Sequence, residues 1–524
     1  MSRQVVHHYI YFFFLFILAG SQAVSNWMMS ASEIFLALNW IIEWNFREKI
    51  SRARRSPLLT AWLVFFLVYI VWTIPGTDYH SGFSDLFTKL PLLAIPLIVL
   101  TSKPLSRRQF VFLVVFYLAT VFVATIIGHV RYQTISDLPY RQIIPYISHI
   151  RFSLNVSLCI AILFYVLCRT ISHPPRKHLV LSLIMLILLI FHFLYFLLLL
   201  RSYTGIGVLL LTAFFILLFY SYRIGNRFLR CTLPVLYCVA MVVVFVVAFT
   251  LVRDYYKPVE LMEGPLQSLT AAGNPYQHKN DGLIENGNLV NNYVCPEELE
   301  RHWGEYSDMP IYACTPNGYT VYPTLLRYLN ALGTTKDSAG LTLLTSEDVL
   351  AIEKGIANPV YLHGSLLRKM AYVMLYEYES SKSLGSVAGF SLLQRIHLWR
   401  CGWQIFTGHP ILGVGTCNVH RFTDRQLASQ GSPLANQELN LHNQYLTFLV
   451  TFGLLGTFII AFFFIRAIIR QRLLSHPLNA ATLIIVLLSF LTENTLSTLA
   501  GCVFAVFFFT LMSIEEGRNV KTKE

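Results

Sequence analysis

The stretch His442-Asn443-Gln444-Tyr445-Leu446-Thr447-Phe448-Leu449-Val450-Thr451-Phe452-Gly453-Leu454-Leu455-Gly456-Thr457 decides how the chain is read. It sets a His–Asn pair at the mouth of an apolar helix, with two glycines following about one turn apart. The helix runs on through Ile459 and Phe464 into the cluster Arg466, Arg470 and Arg472. An apolar segment with an ionisable ring at one end and guanidinium groups at the other is a membrane span that leaves at a cationic face.

Outward from that stretch the same alternation repeats. Runs near 9–28 and 30–46 close on Arg47, Lys49, Arg52, Arg54 and Arg55; runs near 57–76 and 88–102 close on Lys103, Arg107 and Arg108. Runs near 109–130 and 150–168 close on Arg169, Arg176 and Lys177, and runs near 178–200 and 203–222 close on Arg223, Arg227 and Arg230. A ninth run, 231–252, leads into a polar stretch, and apolar runs resume at 441–465, 478–492 and 498–514. Cationic loops stay in the cytoplasm, which puts both termini there and the polar stretch outside. The first run is read as a retained helix despite Ala19-Gly20-Ser21-Gln22-Ala23, because removing it would leave an odd number of spans.

Composition agrees. Of 524 residues 55% are hydrophobic and 13% charged, too apolar for a soluble core. The net charge of +12 sits in the short loops between runs, where it sets topology, so a nucleic-acid surface is excluded. The predicted fold class is an all-α polytopic membrane protein with about 12 transmembrane helices and a large outer loop between helices 9 and 10. Residues 1–252 hold helices 1–9, and 253–440 the loop region with amphipathic helices. Residues 441–514 hold helices 10–12, and 515–524 a charged, irregular cytoplasmic tail.

Inside the loop region, Thr345–Asn358 and Leu366–Tyr378 have helical periodicity, whereas 273–293, rich in Asn and Gly, reads as loop. None of the nine cysteines has metal or redox spacing. Cys295 and Cys314 flank a compact stretch, and a disulfide and two free thiols are weighed equally; Cys401 and Cys417 are a weaker pair. Cys159, Cys168, Cys231, Cys238 and Cys502 are read as small packing residues.

Four polar groups converge on the outer face. They are His442-Asn443, the segment Arg395-Ile396-His397-Leu398-Trp399-Arg400, the turn His409-Pro410 through Gly413, Gly415 and Asn418, and the turn Arg201-Ser202-Tyr203-Thr204-Gly205. The spacing from His442-Asn443 to Gly453-x-x-Gly456-Thr457 resembles the signature of the O-antigen ligase family. Arg395, Trp399 and His409-Pro410-x-x-Gly413-x-Gly415-x-x-Asn418 resemble the wider superfamily, which includes O-antigen polymerases and protein O-oligosaccharyltransferases. Arg201 stands where members carry an arginine at the outer end of a mid-chain span. The motifs cover about 390–457 and the 201–205 turn; the rest agrees in topology only.

The resemblance implies a GT-C-like glycosyltransferase of the bacterial inner membrane. It would move a glycan from undecaprenyl diphosphate to a hydroxyl of lipid A–core at the periplasmic face, with inversion and without metal or other cofactor. Polymerase and protein O-oligosaccharyltransferase activities are its alternatives. The residue chemistry agrees with that expectation. A diphosphate leaving group needs positive charge, and with no Asp-rich metal motif the arginines must supply it. Arg201, Arg395 and Arg400 are the candidates, with Arg151 behind them. An acceptor hydroxyl needs a base, and the imidazole of His442 suits it. Asn443, Trp399, Gly413, Gly415 and Asn418 would support the site.

Blander readings stand beside these. His442 taken alone fits an interfacial ring bonded to a backbone carbonyl, Arg201 a snorkelling side chain, and Arg395 the partner of a loop carboxylate. Gly453 and Gly456 fit close helix packing, and the Gly413–Gly415 segment a rigid turn. His397 and His420 fit surface positions; Trp399 and Trp403 suit an interfacial aromatic belt. A lipid-linked sugar transporter, the reading from a different class, expects charges deep inside several spans. Glu33, Glu43 and Glu493 are instead read as lying near span ends, which favours an enzyme.

Overall fold

The computed structural model describes residues 3–135, 138–172, 179–221, 226–258, 266–279, 281–384 and 391–521. The loop cations Arg176, Lys177 and Arg223 and the last three residues of the tail lie outside the described residues. Every apolar run carries helix. In chain order these are α1 (Arg3–Ser21), α2 (Asn26–Ile42), α3 (Phe46–Arg54), α4 (Pro57–Thr73), α5 (Tyr79–Thr88), α6 (Pro91–Thr101), α7 (Arg107–Thr134), α8 (His149–Ser172), α9 (Leu179–Leu199), α10 (Tyr203–Tyr220) and α11 (Arg227–Tyr256). Two compact units divide the chain: residues 1–237 with 395–524, and Cys238–Gln394.

The Cys238–Gln394 unit folds around its own core of Leu299, Trp303, Leu325, Tyr328, Leu341 and Ile352. It contains α12 (Pro296–His302), α13 (Val321–Ala331), α14 (Ser338–Leu341), α15 (Ser346–Glu353), α16 (Val360–His363) and α17 (Leu366–Leu384). The helices expected from periodicity are α15 and α17. The Asn/Gly-rich stretch holds a hairpin, Ile284–Glu285 paired antiparallel with Asn288–Leu289. Asn286 and Gly287, at φ 52° and 74°, turn it, the left-handed pair that a two-residue hairpin turn requires. Cys295 and Cys314 are both free thiols, so the disulfide alternative is not formed; Cys401 and Cys417 are free as well.

The other unit has only helices as its regular elements among the described residues, completed by α18 (Ser391–Gly408), α19 (Val419–Ser429), α20 (Gln444–Arg470), α21 (Pro477–Thr492) and α22 (Leu499–Lys521). It is an all-α polytopic membrane fold. Among the described residues of the whole chain, seven helical stretches are long and apolar enough to cross a membrane, one of them α5 with α6, and an eighth candidate is α3 with α4, bent by 91°. That is fewer than the twelve expected, because α2, α10, α21 and α22 have short apolar lengths. The 16 residues of α21 rise about 24 Å, short of a hydrocarbon core about 30 Å thick.

Two expectations, on Glu33 and on the tail, are corrected here. Glu33 lies in the middle of α2, not near its end, with carboxylate Oε1 buried and unpartnered. Lys49, one of the cations that close the first pair of runs, is buried. Its Nζ lies 2.8 Å from Glu43, bonds the Trp40 carbonyl and sits 4.7 Å over the Trp40 ring. The tail from 515 continues α22 as helix to Lys521 rather than turning irregular.

The segment 395–440 packs with the membrane helices, so the polar insert ends earlier than hydropathy alone places it. The scaffold is set by α4 against α20: Phe65, Tyr69 and Trp62 meet Phe448, Phe452 and Phe464 edge-on with ring centroids 4.8–5.8 Å apart, the geometry aromatic quadrupoles favour.

Candidate active site

His442 does not belong to the helix that follows it. Its backbone is left-handed at φ 51°, and Asn443 caps α20 by accepting from the Leu446 N–H at 3.0 Å. Arg201 repeats this arrangement. It lies at φ 48°, just before Ser202, which caps α10 by accepting from Gly205. In both places a left-handed residue directly before the cap turns the chain sharply into the helix. Left-handed non-glycine backbone costs on the order of 1–3 kcal/mol and survives only where its surroundings enforce it.

The surroundings of His442 are legible bond by bond. The Asn443 amide donates to the Leu491 carbonyl at 3.1 Å, Tyr445 to Leu487 at 2.8 Å, and Thr447 to the Asn494 side chain at 3.0 Å. Gln444 accepts from the Leu496 N–H at 3.0 Å. The polar residues of His442–Thr447 thus staple the mouth of α20 to the end of α21 and to the turn that follows it. From the other side, the Trp399 indole donates to the His442 carbonyl at 3.4 Å.

That turn carries Glu493, whose carboxylate is the centre of the group. It accepts a hydrogen bond from Arg395, in the first turns of α18, and its second oxygen lies 3.7 Å from Nδ1 of His442. Arg395 therefore does pair with a loop carboxylate, and that carboxylate is the one facing His442. Arg151, buried near the start of α8, donates to the Asn494 carbonyl at 2.8 Å and to Thr498 at 3.3 Å, while its Nη1 has no partner. Burial pushes the Glu493 carboxyl up, but the nearby His442 ring and the guanidinium groups of Arg395 and Arg151 outweigh it. The net shift is downward from 4.5, so the carboxylate stays charged. The His442 side chain is 35% exposed, against 7% for Glu493: the ring is anchored from below and open on one edge.

The Arg201 turn is tied to the same end of the bundle. Ser202 bonds Ser153, two residues along α8 from Arg151, at 2.9 Å, and Thr204 accepts from Thr492, beside Glu493, at 3.3 Å. A Cβ at Gly205 would come within 2.6 Å of Ser153, so glycine lets α10 press on α8. The Arg201 guanidinium sits 5.7 Å from the Tyr140 ring. Arg400 is not brought into this group: it is exposed, and five residues past Arg395 it points about 140° around the helix. Trp399, one turn on from Arg395, shares its face.

The two glycine motifs interlock. At Gly453 (φ 62°, ψ −167°) α20 is broken. The His409–Gly415 loop fills the break with its backbone: Val414 and Gly415 donate to the Val450 and Thr451 carbonyls at 2.8 and 3.0 Å. Leu454 and Leu455 return bonds to Pro410 and Ile411 at 2.8 and 3.1 Å. A Cβ on Gly453 would stand 2.2 Å from the Ile411 oxygen, and one on Gly413 2.5 Å from Thr451. Gly453 thus receives a loop, whereas close helix packing was expected; Gly456 does serve packing, against Trp72. Asn418 locks the loop from within, donating to Val414 at 2.9 Å and accepting from Thr77 at 2.8 Å. His397 is held by Ser432 at 3.1 Å.

Sequence reasoning missed Glu493, which it set aside as a charge near a span end. The available signal was a lone carboxylate between two apolar runs with no cation beside it in sequence. No curated protein matches the chain. Residues 356–461 match the family model described as O-antigen ligase. The match takes in Arg395, Trp399, Gly413, Gly415, Asn418, His442 and Asn443, and it supports the likeness of this multi-pass membrane protein to the O-antigen ligase family.

Proposed function

We propose that the protein is a glycosyltransferase that moves a glycan from undecaprenyl diphosphate to a hydroxyl of lipid A–core, at the periplasmic face of the inner membrane. The observation that carries this reading is the single carboxylate of Glu493 holding both the Arg395 guanidinium and the open imidazole of His442.

The roles follow from which atoms are taken. With Nδ1 turned to Glu493, His442 keeps the Nε2 lone pair for the acceptor, and the carboxylate stabilises the imidazolium once the proton has moved. Contacts of this kind are often long before substrate binds and tighten in the complex. The hydroxyl gives its proton to His442 while its oxygen bonds the anomeric carbon, and the bond from that carbon to the diphosphate breaks with its electron pair. The anion formed needs charge at once. Arg395 is beside the base, Arg151 has a free guanidinium nitrogen, and Arg201 stands at the adjoining turn. Attack opposite the leaving group inverts the anomeric centre. Trp399 and Asn443 act by holding the His442 backbone in place.

A gel of lipopolysaccharide from a deletion strain tests this, with complementation by wild type, His442→Ala or Arg395→Ala. Wild type restores the ladder; each variant, present in the membrane, loses about 100-fold or more of the transfer rate. Bare core with lipid-linked chains accumulating marks a ligase, and a single repeat on core marks a polymerase. An unchanged ladder on deletion removes both and leaves protein glycosylation to be examined.

A further inference from the structure

A concavity opens between the last turn of α7 and the segment 141–148. It has a volume of about 460 Å³ and is lined by Asn26, Arg131, Arg141, Gln142, Tyr146 and Ser148 among others, a size that takes a small ligand. Arg131 lies in the last turn of α7, and its Nε is buried without a hydrogen-bond partner. Arg141 is exposed and donates to the Tyr140 hydroxyl at 3.1 Å. Among the described residues neither guanidinium is paired with a carboxylate. Two uncompensated guanidinium groups in one concavity select an anion, and the fork geometry suits phosphate or carboxylate. The remaining walls are the amides of Asn26 and Gln142 and the hydroxyls of Tyr146 and Ser148, which both donate and accept as sugar hydroxyls require, together with the apolar Ile144, Pro145 and Ile147. An exposed tyrosine face adds a surface on which a sugar ring packs.

The Tyr140 ring links Arg141 of the cavity to the Arg201 turn. Arg141 stands 5.6 Å from the Tyr140 ring, the same ring that Arg201 approaches at 5.7 Å. Tyr140 in turn meets His149 edge-on at 5.8 Å, and His149 lies within electrostatic reach of Arg141, Glu493 and Arg395.

From this arrangement we infer that the Arg131–Arg141 cavity is a subsite for an anionic saccharide, a sugar bearing phosphate or carboxylate, and that it seats the acceptor. That the saccharide is the acceptor rests on the transfer reading above; that the cavity binds it does not. The donor diphosphate already has Arg395, Arg151 and Arg201, so a separate pair of cations is left for a charge on the sugar side.

The test uses the full chain in neutral phosphatidylcholine nanodiscs, with glucose 6-phosphate as probe and binding followed by saturation-transfer NMR. Wild type should bind glucose 6-phosphate at least tenfold more tightly than glucose. Arg141→Gln and Arg131→Gln should each weaken it about tenfold, with Arg141→Lys in between, while Arg400→Ala leaves it unchanged. Because Arg141 is exposed, its variants report on binding even if Arg131→Gln fails to fold. Unchanged binding by Arg141→Gln overturns the proposal. So does glucose binding as well as its phosphate, or inorganic phosphate binding as well as the sugar phosphate. Displacement by phosphatidylglycerol in the nanodisc would make the cavity a lipid-headgroup site and overturns it too. In a transfer assay Arg141→Gln should raise the acceptor KM with kcat unchanged. If wild type shows no transfer but Arg141→Gln still loses the sugar phosphate, the transfer reading fails and the saccharide site stands.

Discussion

Two buried carboxylates, one in each unit, show how the same chemistry is closed in one place and left open in another. Glu285, in the Cys238–Gln394 unit, is wholly enclosed. It accepts from Arg327 at 2.8 and 3.0 Å and from Asn358 at 2.9 Å, and the Arg327 guanidinium stacks 3.4 Å from the Tyr376 ring. Glu493 also holds a guanidinium, but its second partner is the imidazole of His442, a third of which faces outward. A closed bidentate pair specifies a fold. A carboxylate that orients an open imidazole and a guanidinium prepares a site for chemistry. Burial alone does not separate the two; what the partners do with their remaining edges does.

The largest effect should come from breaking the closed pair. Glu285→Ala leaves Arg327 buried without its counter-charge and should cost about 3–5 kcal/mol, read as a fall in Tm of the solubilised chain. Glu493→Gln should lose activity far out of proportion to any fall in Tm. If the two variants behave alike, the distinction between the carboxylates is wrong.

Next in size is the interlock that sets α20. Gly453→Ala meets both the positive φ and the Ile411 oxygen 2.2 Å away, and should cost about 1–3 kcal/mol, seen as a lower Tm. Gly431→Ala, at φ 62° with no neighbour near its Cβ, carries the backbone cost alone and should lose less. Equal losses would mean that the loop does not insert as described.

A pH dependence sharpens the comparison further. The Glu493 carboxyl is lowered in the folded state from 4.5, so the unfolded chain binds its proton first. The stabilisation is therefore full above about pH 4.5 and is lost as pH falls through the lower folded-state value. Melting between pH 6 and pH 3 should show wild type losing Tm more steeply than Glu493→Gln. Parallel curves would show that the Arg395–Glu493–His442 group adds nothing to the fold.

The smallest effect belongs to Arg400→Ala. Exposed and turned from Glu493, it should keep stability within about 0.5 kcal/mol of wild type and retain its lipopolysaccharide ladder. A bare-core phenotype would return Arg400 to the site.

Much of this protein could be read before any coordinates. Alternating apolar runs and cations determined the all-α membrane fold, because a backbone in hydrocarbon must bond to itself and helices do so locally. His442-Asn443 declared a helix start, since a cap needs only the residues beside it. What the sequence could not carry was pairing at distance. Arg395, His442 and Glu493 lie on three segments, and nothing local says that a carboxylate near one span end turns toward an imidazole at the mouth of another. Gly413 and Gly453 are likewise 40 residues apart, yet each is a glycine because the other's backbone passes within about 3 Å of where its Cβ would be. The same holds for the length of the spans: hydropathy marks where apolar runs lie, but caps, breaks and inserted loops decide how much of each run is helix. Local bonding made the elements legible, and only tertiary packing decided which charges meet.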